Sequence, residues 1–426
     1  MHPSPPPDPS PATPSPPPHE SARRAAGPGS PPGGYRALFR SPEFTPLFVA
    51  ASLQGAAVTV AGLALSTLVF AATGSPLLSA LSMFGPSLVQ LAGAATLLSA
   101  ADRLPPRAAA TGLALAAAAG TAVLAVPGLP GWAGLAAVLF LGLVASVAGA
   151  VRYGLLSEIL PPGGYLLGRS VFNMSAGTVQ IAGFAAGAAM VAVLSPRGTL
   201  LAGAALHLAG ACAARLGLTR RAPRAGGRPS VAETWRVNRT LWSSPPRRYV
   251  YLALWLPNGL VVGAEALFVP YAPDRAGVLL ALAAAGMLAG DALAGRFLPP
   301  AWRGPLSRYL YLLLAAPYLV FALHPPLPLA AAAAAVASIG FGTTLLLQER
   351  LVALTPAGMQ GQALGLHASG MLAMQGAAAA VAGTIAQHTS PATAITAMAV
   401  LSLAVTLALA PGLRGGPGRG DGTAPM

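Results

Sequence analysis

Lysine is absent from this chain of 426 residues, so all 25 basic side chains are arginine; acids number only 11, and Cys212 is the single cysteine. Each scarcity excludes a class of protein. Without lysine no Walker-type phosphate loop can form, and neither HExxH nor GxSxG occurs, so the chain carries no signature of an enzyme. One cysteine cannot close an intramolecular disulfide and argues against a thiolate metal site. The histidines, His2, His19, His207, His324, His367 and His388, show no metal-ligand spacing, and neither metal nor cofactor is expected. Charged residues make up 8% of the chain, where a soluble domain carries about a quarter. That is too few to cover a water-facing surface.

What the chain has instead is apolar length. Hydrophobic residues reach 54% and the mean hydropathy is +0.64. Runs of about 20 apolar residues, each long enough to cross roughly 30 Å of hydrocarbon as a helix, recur from Pro46 to Pro411. The period-two alternation of barrel strands is missing. The composition predicts an all-α polytopic membrane protein with twelve spans, near 46–70, 77–101, 108–126, 133–155, 171–194 and 199–218, then 249–270, 276–295, 308–324, 328–347, 364–387 and 392–411. Between the two sets lies the longest polar interval among the spans, running from Arg215 to Arg248 with nine arginines. The organisation expected is a disordered Pro-rich tail (1–40), a first bundle of six helices (41–218), an Arg-rich linker (219–248), a second bundle of six (249–411) and a short tail (412–426).

The start of the chain holds 13 of its 43 prolines within residues 1–34 and no apolar core for a cleavable signal peptide. With that tail in the cytosol, 23 of the 25 arginines fall on the cytosolic side and only Arg197 and Arg275 outside. So strong an asymmetry predicts both termini inside, in a multi-pass protein of the plasma membrane. It also accounts for the net charge of +14 through the anionic inner leaflet rather than nucleic acid. The outside loops are short, so function is expected within the bundle, on a small-molecule substrate, in a monomer.

The turn after span two reads LLSAADRLPPRAAA, with Asp102, Arg103 and Arg107; that after span eight reads GMLAGDALAGRFLPP, with Asp291 and Arg296. An acid at a helix end with arginine within five residues can lock a helix pair through charge-assisted hydrogen bonds. Its recurrence at matching places marks an internal repeat. The arrangement resembles the loop signature of the major facilitator superfamily, whose members pair two six-span halves. Within it the stretches TGSPLLSALSMFGPSLVQLAG, RYGLLSEILPPGGYLLGRSVFNMSAG and LTPAGMQGQALGLHASGM look most like the drug-efflux and siderophore-export branch. The chain departs from the pattern at Leu98, where the family has glycine, at Pro105 and Pro106, and at Ala56, where many exporters carry an acid. The resemblance implies two pseudo-symmetric bundles around a central cavity and alternating access. It also implies proton-coupled export of a small amphipathic compound, a drug or secondary metabolite. An importer or uniporter of the same fold, or a partner-binding scaffold, are the alternatives.

Charge inside hydrocarbon is costly and usually functional, and only Glu265 lies clearly within a span. Asn258 shares its helical face, seven residues earlier. Glu265 is the candidate coupling carboxylate or counter-ion, against a structural acid held by a neighbouring helix. Gln54, Gln90, Asn173, Gln180, Met371 and Gln375 complete the expected cavity; with one carboxylate, it suits a neutral or cationic hydrophobic compound. Asp102, Arg103, Arg107, Asp291 and Arg296 are expected to gate its cytosolic end. Arg152 and Glu158 flank the end of span four, and His367 is a minor proton-relay candidate.

Overall fold

Long apolar runs become long helices, and proline and glycine decide where they start and stop. The structure, a computed structural model, describes residues 35–96, 104–160, 165–223, 231–294, 309–356 and 359–414. A short α1 (Tyr35–Leu38) leads into α2 (Phe44–Thr73), which ends on Gly74 in the left-handed conformation, φ 62°, its N–H bonded to the Phe70 carbonyl. Then follow α3 (Pro76–Thr96), α4 (Pro106–Leu124) and α5 (Gly131–Ile159). Each begins at or just after a proline, whose fixed φ and missing N–H suit a first helical position.

The fifth and sixth expected spans appear as one 53-residue helical element, α6 (Tyr165–Gly217), broken at Ser195, φ 70°, with Pro196 next. Both of its halves pack along α2: a Cβ at Gly187 would touch Val60, and one at Gly203 would touch Ala61. The second half of the chain comprises α7 (Val231–Ser243), α8 (Pro245–Glu265), α9 (Phe268–Tyr271) and α10 (Ala276–Ala292). An apolar helix over Tyr309–Leu323 tightens into a 3₁₀ turn from Ala316. The tenth expected span is broken into α11 (Leu327–Ile339), a 3₁₀ turn at Gly340–Gly342 and α12 (Thr343–Ala353). Two long helices close the chain, α13 (Gln360–His388) and α14 (Pro391–Arg414).

Each of the twelve expected spans thus has a helical counterpart among the described residues, and the packing repeats between halves. α2 lies against α6 as α8 lies against α13 and α14; α3 lies against α5 as α10 lies against α11. Two pairs do most of the joining between the bundles, α3 with α13 and α6 with α10. The second pair is the first carried through the two-fold that relates the halves. Much apolar surface is left facing outward. The apolar windows of α2 and α5 are only 33% buried and that of Met174–Gly217 only 17%, while Trp132, Val193 and Leu216 stand exposed. Water would penalise this; lipid does not.

Two sequence expectations need revision. Tyr35–Leu38, placed by the sequence in a tail expected to run to residue 40, form α1, with Leu38 buried and Phe39 packed edge-on against Phe44 and Phe48. The Arg-rich interval, expected to be a plain loop, contains α7. Its Leu241 is fully buried against Val250, Leu254 and Leu351, and Trp242 stacks on Trp255 at 5.6 Å, so an apolar stripe docks it on the second bundle.

Candidate functional site

A cavity of about 480 Å³ lies inside the first bundle, between α2, α3, α4, α5 and α6. That is within the range of small-molecule sites. Gln54 from α2, Gln90 from α3 and Gln180 from α6 line it, so three of the expected amides converge there, with Ser82, Ser87, Thr59 and Thr121. The remaining wall is mostly leucine, valine, alanine and glycine, with Met83. Pro86 also lines it, and as a mid-helix proline it removes the N–H that would pair the Ser82 carbonyl one turn back.

Two cavity residues were not singled out from sequence as ligands. His207 on α6 meets Gln54 through Nδ1 and the amide Oε1, and the Gln54 amide also donates to the His207 carbonyl at 3.5 Å. Gly210, one turn on, leaves room for this: a Cβ there would stand 2.9 Å from Gln54 Nε2. Arg152 on α5 supplies a guanidinium whose Nε is buried without a hydrogen-bond partner and whose carbon lies 5.0 Å from the Tyr153 ring centroid. Helical spacing could have flagged His207 as an ionisable group in mid-span; its 153-residue separation from Gln54 hides the pairing.

This cavity gathers only part of the expected set. Glu265, Asn258, Met371 and Gln375 do not line it. Glu265 is 7% exposed in the core of the second bundle, where its Oε1 accepts hydrogen bonds from Tyr318 at 3.0 Å and Ser338 at 3.2 Å. Asn258 is fully buried, donating to the Leu254 carbonyl at 2.9 Å and to Thr344 at 3.1 Å, while its Oδ1 has no partner. Both residues thus reach the broken α11–α12 element, which is where their shared face points. Tyr318 and Ser338 could not be paired with Glu265 from spacing, being 53 and 73 residues away. Met371 and Gln375 are half-buried on α13. His367, one turn earlier, bonds Gln348 at 3.1 Å, and Trp255 donates to its carbonyl at 3.0 Å.

Of the expected gate, Asp102, Arg103 and Arg296 lie outside the described residues, as does the side chain of Asn173. Arg107 begins α4 with a buried, unpartnered Nε, and Asp291 is half-buried at the end of α10. An ion cluster not foreseen stands at the same end of the first bundle. Arg221, just beyond α6, forks onto Glu43 at the start of α2, with Nη1 to Oε2 at 2.6 Å and Nη2 to Oε1 at 2.9 Å, and its Nε lies 3.6 Å from Glu158 at the end of α5. Thr219 adds two further bonds to Glu43. Among the described residues no group of His, Cys, Asp and Glu could hold a metal ion.

No protein-family profile matches this sequence, and no curated protein matches it either. Solved structures do. A POT-family transporter in complex with 5-aminolevulinic acid superposes with a TM-score of 0.71 at 11% identity, over 90% of this chain and 99% of that one. The human organic anion transporter MFSD10 matches at 0.59 and 18% identity, over 86% and 99%. The nucleoside transporter NupG matches at 0.63 and 12% identity, over 87% and 100%. Identities this low speak to architecture alone. With the paired bundles already described, they establish an all-α polytopic membrane protein of the major facilitator fold.

Proposed function

We propose that the chain is a secondary active transporter that moves a small amphipathic compound by alternating access. The observation that carries this reading is the cavity of about 480 Å³, walled largely by apolar side chains with amides from three helices converging inside a bundle whose helices expose much apolar surface. The bundles meet mainly along α3 with α13 and α6 with α10, and two such symmetric seams are suited to rocking. The units that rock would be 41–218 and 249–411, joined by 219–248, with the arginine-rich ends and both termini in the cytosol of a plasma membrane.

Proton-coupled export is the mode we favour, with Glu265 as the coupling acid. Its carboxylate ties α8 to the Tyr309–Leu323 helix and to α11 through two hydroxyl donors. Taking up a proton removes the charge that strengthens both bonds, so protonation loosens three helices of one bundle relative to each other. The experiment is uptake of a panel of lipophilic compounds into inverted vesicles, with and without a pH gradient, by the wild type and by Glu265→Gln. Gradient-driven uptake lost in the variant supports the reading. Undiminished uptake in the variant makes Glu265 structural, and no uptake of any compound overturns export.

A further inference from the structure

We infer that the first-bundle cavity is selective for an amphipathic anion, a carboxylate joined to an apolar body, with Arg152 as the residue that seats the carboxylate. This rests on the reading of the cavity as the substrate site and names the class of substrate.

The ionisable groups among the described residues lining the cavity are Arg152 and His207; none is an acid. His207 is already engaged, side chain to side chain, by Gln54. Arg152 is differently placed. Its Nε is buried and has no partner, and a guanidinium presents Nε and the adjacent terminal nitrogen as one edge of parallel donors, matched in spacing to the two oxygens of a carboxylate. The Nε of that edge is the donor left unsatisfied here. The guanidinium lies on the Tyr153 ring, whose other cationic neighbour is Arg169, 5.5 Å from the centroid. Thus what orders Arg152 is an aromatic ring, which leaves its charge in place.

The surroundings add to the field. Arg215 and Arg220 stand close enough to repel Arg107 at the same end of the bundle, and the acids Glu43 and Glu158 of that end are engaged by Arg221. A cleft with low-dielectric walls and an excess of cations nearby concentrates anions. Val58 and Leu65 of α2, with Val138 and Leu141 lying earlier on the helix that carries Arg152, offer apolar surface for the body of the ligand. The neutral amides of Gln54, Gln90 and Gln180 can bond polar substituents on it without selecting a charge. Glu265, the group that made a cation attractive, belongs to another compartment.

The test uses the full-length protein in lipid nanodiscs and three probes of one shape: 2-naphthylacetic acid, its primary amide and 2-naphthylethylamine, with affinities from calorimetry. The acid is expected to bind at least tenfold more tightly than amide or amine. Arg152→Gln should abolish that preference while leaving amide affinity within about twofold, and Arg152→Lys should keep part of it, since a point charge lacks the two-donor edge. Equal or tighter binding of amide or amine, absence of binding by all three, or an acid preference that survives Arg152→Gln would overturn the inference. Should the variant fail to fold, the wild-type ranking decides by itself. Flux in proteoliposomes separates the two readings: acid-selective binding without transport sinks the transporter and keeps the anion site, whereas transport without acid preference does the reverse.

Discussion

Gln54 of α2 and His207 of α6, 153 residues apart in the chain, meet at the wall of the first-bundle cavity and bond side chain to side chain. The contact joins the two helices that pack most extensively in that half. It also orients the Gln54 amide, so one pair both ties the two helices and shapes the cavity wall.

Removing one partner tests this. Gln54→Ala leaves the His207 Nδ1 buried and unpaired, a situation that costs about 1–3 kcal/mol. Thermal melting in detergent should show a lower Tm for Gln54→Ala and for His207→Ala. The double variant should lose less than the sum of the two. Full additivity would show that the pair is not coupled.

A second outcome concerns Tyr318. Tyr318→Phe deletes the 3.0 Å donor to Glu265 and leaves Ser338 at 3.2 Å. Melting should fall by about 1–3 kcal/mol in stability, and Glu265→Leu in the Phe background should restore part of it, because no acid is then left under-satisfied. Unchanged melting in Tyr318→Phe would place the hydroxyl outside the network.

The Glu43 cluster carries a pH dependence. Partial burial pushes the Glu43 carboxyl up, but bonds from Arg221 and Thr219 outweigh it and hold the group below its ordinary value of 4.5. A carboxyl lowered in the folded state adds stability that is fully present above 4.5 and is lost as pH falls from there through the lower folded value. The pair is partly solvated, so the effect should stay under about 1 kcal/mol. Unfolding followed from pH 7 to 3 should show a shallower acid loss in Arg221→Met than in the wild type; parallel curves would discount the cluster.

Close helix packing makes the last prediction. A Cβ at Gly286 would overlap the Ala335 carbonyl oxygen, and one at Gly290 that of Ile339, both backbone atoms of α11. Backbone cannot swing aside as a side chain can, so Gly286→Leu or Gly290→Leu must part α10 from α11, with an overpacking cost of about 1–3 kcal/mol or more. The yield of monodisperse protein should drop sharply. Gly112→Leu, where a Cβ meets nothing, is the control.

The twelve apolar segments were legible in the chain because hydrocarbon imposes its requirement locally: about 20 apolar residues, bounded by proline and glycine, decide a span without reference to any other part of the molecule. The amides Gln54, Gln90 and Gln180 could be picked out for the same reason, as polar groups in places where polarity is costly. Which of them meet is a different matter. Partnerships such as Tyr318 with Glu265, or Arg221 with Glu43, join residues 53 and 178 positions apart, and helical periodicity says nothing about the rotation of one helix against another. The sequence by itself determined that this is a helical membrane protein in two halves. Only the tertiary structure decided that Glu265 belongs to one bundle's core while the cavity belongs to the other, and that the charge facing that cavity is Arg152, because side-chain direction is set by packing across helices and not along them.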